Sequence, residues 1–248
     1  MESSGLVVSS VAKRYDDKAV LNDIHIQVKP HEFVCILGHS GCGKSTLLNL
    51  VAGFLQPDVG QISVNGRIVK GPSKERGVVF QEHALFPWYT VLQNIMFGPE
   101  VQGMSKSKAR QHAMRYLELV GLKDYADHLP SQLSGGMKQR VGIARALAGM
   151  PDILLMDEPF GALDILTRDM MQIELLRIWL EMRIMVLFIT HSISEAIHLA
   201  DRILVMIDGQ IAAEFSVTMP RPRNLRDPEF ITLQAHIEDM LIADRRTA

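Results

Sequence analysis

The sequence predicts an α/β fold, a mainly parallel sheet wrapped by helices with a helical insertion inside it. Three observations carry that expectation. The short, continuous apolar run Phe33–Leu37 (FVCIL) reads as a strand covered on both faces, and Ile153–Asp157 (ILLMD) and Ile184–Thr190 (IMVLFIT) read as further strands. Helical segments follow these runs, and strand–helix alternation of this kind gives parallel sheets. Between Pro87 and Pro151 the strand signals stop and only helical spacing remains.

Taken in order, Ile24, Ile26 and Val28 alternate with His25 and Gln27, the pattern of a half-buried strand. FVCIL is followed at once by glycines and then by KSTLLNLVAG, a helix stopped by Gly53. Asn65-Gly66 lies between the alternating segments of QISVNGRIV and predicts a type I′ hairpin. VVF (Val78–Phe80) is another short strand. In the insertion, Ala109, Ala113, Tyr116, Leu117 and Val120 share one helical face, and Val141, Ala144, Leu147 and Ala148 another; Gly121 and Pro151 mark the stops. The core resumes with ILLMD, a helix over Asp164–Leu180, IMVLFIT, a helix over Ser192–Leu199, and RILVMI before the tight turn Asp208-Gly209. A tail, PRPRNLRDPEF, leads into a final amphipathic helix. The expected boundaries are 1–220 for the main domain, with the insertion over about 87–151, and 221–248 for the tail.

Composition bounds the function. The chain has 248 residues, 47% of them hydrophobic and 22% charged, as in an ordinary globular protein. Its 26 basic and 28 acidic residues leave a net charge of −2, which is no nucleic-acid footprint, so no nucleic-acid partner is expected. MESSGLVVSS lacks a secretory pattern. The longest clean apolar run, Ile184–Ile189, is far short of the roughly 20 residues that span a bilayer, so any membrane role is borrowed from a partner. Cys35 and Cys42 read as free thiols in a reducing compartment. The nine histidines are scattered, without metal-ligand spacing.

GHSGCGKST fits the phosphate-loop pattern G-x-x-x-x-G-K-[ST] across Gly38, His39, Ser40, Gly41, Cys42, Gly43, Lys44, Ser45 and Thr46. Backbone N–H groups of such a loop surround phosphates, Lys44 reaches the β and γ oxygens, and the Ser45 hydroxyl ligates Mg²⁺. A plain glycine-rich turn would not need the buried strand before it and the helix after it. ILLMDEP ends a strand in two carboxylates: Asp157 suits Mg²⁺, and Glu158 can be aimed at a water attacking the γ-phosphate, or else is a helix-capping or solvated acid. His191 stands at the end of IMVLFIT, where open parallel sheets gather ligands, and reads as a γ-phosphate contact rather than a structural histidine. Gln81 follows VVF in the same way and can touch Mg²⁺ or the attacking water. A second cradle stands far downstream: in LSGGMKQR (Leu133–Arg140) a serine and two glycines open a helix, whose N-terminus favours an anion.

The order of these motifs (phosphate loop, Gln81, LSGGM, ILLMDEP, ALD at Ala162–Asp164, His191) resembles the nucleotide-binding subunit of ABC transporters, over roughly Leu6 to Phe230. The resemblance implies a phosphate-loop NTPase with a RecA-like core, an N-terminal antiparallel β portion and an inserted α-helical subdomain. It implies ATP and Mg²⁺ as ligands, with Tyr15 in the place of an adenine-stacking ring; from the residues alone, Tyr15 reads more readily as packing. It also implies a homodimer in which Ser134, Gly135 and Gly136 of one copy hold the γ-phosphate bound by the other's loop, with Asp164 at the seam. Many relatives have glutamine where Met137 stands, so Met137 is no ligand.

Phe86, Trp88 and Tyr89 follow Gln81 where the family receives a short helix of its membrane subunit; packing inside the helical subdomain is the other reading. The absence of a fused membrane span and the short tail resemble an importer subunit at the cytoplasmic face of the inner membrane, working with permease subunits and, indirectly, a substrate-binding protein. LFPW and the tail resemble the nitrate/sulfonate/taurine branch, with an importer of another small organic nutrient such as a pyrimidine precursor as the alternative. A soluble ABC protein of DNA repair or translation would show a long coiled-coil insertion or two cassettes. A small-molecule kinase would lack LSGG, and a regulator without turnover would lose Glu158 or His191.

Overall fold

The computed structural model describes residues 5–81 and 84–245. The strands are β1 (Leu6–Tyr15), β2 (Lys18–Val28), β3 (Phe33–Leu37), β4 (Val59–Val64), β5 (Arg67–Ile68), β6 (Arg76–Val79), β7 (Ile153–Asp157), β8 (Met185–Thr190), β9 (Arg202–Ile207) and β10 (Gln210–Ser216). The α-helices are α1 (Lys44–Ala52), α2 (Val91–Val101), α3 (Lys106–Leu119), α4 (Gly135–Ala148), α5 (Ile165–Met182), α6 (Ile193–Leu199) and α7 (Pro228–Arg245). They fall into two compact units, one formed by residues up to Ser73 with those from Met185 onward, the other by Lys74–Ile184.

The first unit contains an antiparallel sheet in which β1 lies between β2 and β4, with β5 beyond β4. Ile24, Ile26 and Val28 are buried while His25 and Gln27 face out, so the expected alternation holds in β2. β1 is less regular. Its pairing with β2 shifts between Val8 and Val11, and Ser10 has φ 48°. That break hides the strand from a period-of-two reading. The Asn65-Gly66 turn has φ 48° and 76° with Val64 opposite Arg67, as a type I′ hairpin requires.

Parallel strands supply the rest of that unit's framework. β3 runs parallel to both β8 and β9, with Cys35 opposite Phe188 on one side and Ile203 on the other. All five of its residues are buried. The Phe33 and Phe188 rings lie 5.9 Å apart, each fully buried and each contributing about 1.5–3 kcal/mol of apolar burial. β10 folds back antiparallel on β9 through Asp208 and Gly209, both at positive φ. Because β3 is held rigidly by a neighbour on either side, the loop leaving its C-terminal end starts from a fixed point.

The tail is stapled to this framework by a buried arginine. Arg223 is only 5% exposed, and its guanidinium donates to the carbonyls of Ile197 (2.7 Å), Ala200 (2.5 Å), Met219 and Val217 (both 3.1 Å). Burial, and next the nearby Arg221, push its pKa down to about 10, which leaves it charged at neutral pH. Arg223→Met is expected to strand these carbonyls and to destabilise the protein by about 3 kcal/mol, a Tm loss of roughly 6–12 °C in a thermal melt. A melt unchanged within error would remove the staple from the account. α7 beyond it buries Phe230, Ile237 and Leu241 and packs on α6.

The second unit pairs β6 and β7 in parallel, with Val79 opposite Met156, and packs α2, α3 and α4 against one another. It therefore holds the helices of the expected insertion together with β6, β7 and α5. The strand expected at Val78–Phe80 runs Arg76–Val79 instead, because the apolar side of VVF is only its end. Asp164 and Ser192, expected as first helical residues, are the N-caps of α5 and α6, accepting from the backbone N–H of Thr167 and Glu195.

Candidate functional site

The phosphate-loop pattern lies between β3 and α1, as its chemistry requires. Gly43, with φ 106°, is the N-cap of α1; at this left-handed angle an added Cβ would meet Leu21 Cδ2 at 2.7 Å and Val20 O at 2.8 Å. Glycine alone lets the chain turn there so that the first N–H groups of α1 face the loop interior. Lys44 is 4% exposed, and its ammonium donates to the carbonyls of Gly38 and His39, both at 2.8 Å. The cation is thus held over the loop by the loop's own backbone. Cys35 and Cys42 are free thiols, and burial raises the pKa of both, Cys35 well above the usual range.

Three other predicted residues belong to the same unit. His39 is tied to the C-terminal helix, its Nε2 donating to the Leu241 carbonyl at 3.3 Å. His191 is exposed immediately after β8, at the C-terminal end of a strand paired with β3. Tyr15 ends β1 with 45% of its surface exposed and with Lys13 Nζ 5.8 Å from the ring centroid. A ring so exposed is not core packing.

In the second unit, β7 ends at Asp157, and Glu158 turns the chain with φ 41°. A non-glycine residue in that region carries strain on the order of 1–2 kcal/mol, and such strain collects at working sites. The Gln81 amide reaches the same corner, 3.5 Å from where a Cβ on Gly161 would sit. Gly161 in turn donates its N–H to the Glu158 carbonyl at 3.0 Å. Gln81 and the turn at Glu158, read separately along the sequence, therefore meet at Gly161. Asp164 closes this segment as the α5 cap; its side-chain hydrogen bond with Thr167 and the Thr167 backbone N–H hold its carboxyl below the usual range.

The LSGG segment has the predicted form. Ser134 caps α4, accepting from Met137 N at 3.3 Å, and Gly135 and Gly136 form its first turn. The two glycines differ physically. A Cβ on Gly136 would meet Thr167 Cγ2 at 2.8 Å, so glycine there lets α4 approach the start of α5. A Cβ on Gly135 would meet only Leu163 at an ordinary 3.5 Å, so packing does not demand glycine at that exposed position. A cavity of about 280 Å³ opens beside this turn, lined by Ser134, Met137, Arg140, Thr167 and Met170 among others.

The aromatic segment divides into a packed part and an exposed one. Phe86 contacts Phe97 (4.8 Å between centroids) and Tyr89 (5.4 Å), which is internal packing, while Trp88 remains 70% exposed. The sequence reading missed what shapes this loop. Fully buried Asn94 accepts from Phe86 N and donates to the carbonyls of Phe86, Tyr89 and Thr90. An asparagine among the apolar residues of α2 was the available signal.

The donor set fits the expected ligands. Ser45 and Asp157 offer hard oxygens, and Mg²⁺ bound mainly through phosphate and water needs only one or two such protein ligands. Among the described residues there is no cluster of three or more His, Cys, Asp or Glu side chains that could hold a metal.

A glycine cradle with a buried lysine, a strand ending in paired carboxylates and a serine-capped Gly-Gly helix define the class of a phosphate-loop nucleotide-binding protein. Comparison with known proteins narrows it. Residues 21–161 match the family model described as ABC transporter. The taurine import ATP-binding protein TauB of Yersinia pestis is 46% identical, with 95% of each chain covered. The bicarbonate transport ATP-binding protein CmpD of Synechocystis is 44% identical over 95% of this chain and 88% of its own. Among solved structures, a bacterial ABC transporter cassette described as dimeric superposes with a TM-score of 0.76 at 32% identity, covering 87% of this chain and all of that one. The same cassette in a post-hydrolysis state bound to ADP and Pi gives 0.75. The chain belongs to the ABC transporter family, as the order of its motifs implied.

Proposed function

We propose that this protein binds and hydrolyses ATP as the energising subunit of an ABC importer for a small solute of the nitrate, sulfonate, taurine or bicarbonate kind. The single observation that carries the reading is the co-occurrence of a phosphate loop with its lysine in place and a bare, serine-capped Gly-Gly helix start in one chain. Relatives that act in taurine and bicarbonate transport support the importer branch.

Each residue takes a role under this reading. Backbone N–H groups of Gly38–Thr46 and the Lys44 ammonium bind the phosphates, and Tyr15 stacks on adenine. Mg²⁺, held by Ser45, Asp157 and Gln81, supplies charge neutralisation on the phosphate oxygens when bound. Glu158 accepts a proton from the attacking water, Gln81 orients that water, and His191 contacts the γ-phosphate. Ser134, Gly135 and Gly136 cap the γ-phosphate bound by a second copy, where a helix N-terminus contributes about 0.3–1 kcal/mol, up to ~2 when partly buried. Asp164 lies at that seam.

A second copy also suits α5, whose Ile165, Leu166, Met170 and Ile173 are exposed just beyond Asp164. Trp88 is the proposed landing point for the permease. Among the described residues no helix is long and apolar enough to cross a membrane. Under this reading, which rests on kinship with transport ATP-binding proteins, the protein is a peripheral subunit at the cytoplasmic face of the inner membrane, served indirectly by a substrate-binding protein.

Ser134→Arg tests the shared site. The variant is expected to bind ATP through its own loop yet lose hydrolysis. When it is mixed with Lys44→Ala, each heterodimer regains one intact composite site, giving at most about one quarter of wild-type turnover in a 1:1 mixture. Wild-type hydrolysis by Ser134→Arg alone, or full two-site activity in the mixture, would overturn the arrangement.

A further inference from the structure

We propose that Thr190 and Glu195 are positioning residues for His191, fixing the backbone on both sides of it. This rests on the reading of His191 as a γ-phosphate contact. Neither residue belongs to the set assigned above.

The geometry is a relay around one exposed residue. Thr190, 2% exposed at the end of β8, donates its hydroxyl proton to Glu195 Oε2, and the same hydroxyl oxygen accepts the Ser192 N–H at 3.0 Å. Ser192 Oγ accepts the Glu195 N–H at 3.3 Å and lies 3.1 Å from Ser194 Oγ. The residue before His191 and the residue after it are thus bonded to each other, and both are bonded to Glu195. Ser192-x-x-Glu195 has the form of a capping box, in which the glutamate would reach back to the Ser192 N–H. Here Thr190 takes that N–H instead, and the carboxylate takes Thr190.

The anchor itself is firm. Glu195 is 6% exposed, on the side of α6 toward Cys35 of β3, whose thiol is raised by burial first and by the Glu195 charge second. Arg223 holds the carbonyls of Ile197 and Ala200 at the other end of the same helix. With α6 fixed at both ends and Thr190 fixed in the sheet, the peptide planes flanking His191 have no slack. A γ-phosphate contact gains from this, because misplacing a reacting group by 1 Å can lower a rate by about 10²-fold.

The experiment compares Thr190→Val, which keeps shape and removes the hydroxyl, with Thr190→Ser, which restores it, and with His191→Ala. ATP hydrolysis, KM for ATP and equilibrium ATP binding are measured on the purified full chain. Thr190→Val is expected to lower kcat at least about tenfold with KM for ATP changed less than about twofold, and Thr190→Ser to return kcat to within about twofold of wild type. Thr190→Val added to His191→Ala is expected to cause no further loss, since it acts only through that imidazole. Wild-type kcat in Thr190→Val while His191→Ala is impaired would overturn the positioning role. So would a loss that serine fails to rescue, or one that adds fully to His191→Ala. Wild-type kcat in His191→Ala would instead overturn the underlying reading of His191.

Discussion

Glu158→Gln is expected to bind ATP normally and hydrolyse it about 10²–10⁴-fold more slowly than wild type. The substitution is nearly isosteric, so the strained turn at φ 41° and the Gly161 N–H bond to its carbonyl are kept. What disappears is the basic oxygen that would take a proton from the attacking water; an amide has no comparable basicity. Because the terminal phosphate then stays in place, the contact proposed for it with a second copy's Ser134-Gly135-Gly136 would also stay. Size-exclusion chromatography with ATP and Mg²⁺ should accordingly show the variant as a dimer, and wild type as mostly monomer once turnover has removed the phosphate. A monomeric variant with full activity would show that Glu158 is only a solvated acid.

Most of the framework was legible before the structure, because the signals were local. FVCIL and the Ile184–Ile189 run are apolar throughout and proved to be buried neighbours, and the chain turns at Asn65-Gly66 and Asp208-Gly209 as expected, with positive φ at all four. β1 was not legible: its register shifts near Ser10 destroy the alternation on which such a reading depends. Site legibility followed the same division. The phosphate loop is a contiguous string, so its geometry could be written from spacing. The approach of the Gln81 amide to the Glu158–Gly161 corner joins residues far apart in sequence. Asn94, Glu195 and Arg223 act through backbone carbonyls and hydroxyls placed by the fold, and no spacing rule announces such partners. Gly135 and Gly136 look equivalent in sequence, and only the approach of Thr167 separates the glycine that packing demands from the one it does not.

Lys44→Ala should weaken nucleotide binding and abolish productive turnover. The ammonium is enclosed by the loop and already satisfied by the carbonyls of Gly38 and His39, so it is positioned for phosphate before any nucleotide arrives. Hydrogen bonds from a charged donor are worth about 1.5–3 kcal/mol, which predicts ATP binding weaker by roughly 10- to 150-fold. Charge that develops on the transferred phosphoryl group would lose the same donor, lowering the rate by a further 10²–10³-fold or so. Lys44→Met separates the two contributions of the side chain: it keeps the apolar stem that fills the loop and deletes only the cation, and it should bind as poorly as alanine. Thermal shift reads the binding term directly. At a nucleotide concentration 100 times the wild-type Kd, ATP stabilises the wild type by about 2.7 kcal/mol, and both variants should lose roughly half to nine-tenths of that shift, each measured against its own nucleotide-free melt. A variant that kept the ATP-induced shift and the wild-type rate would take Lys44 out of the mechanism, and with it the meaning assigned to the loop.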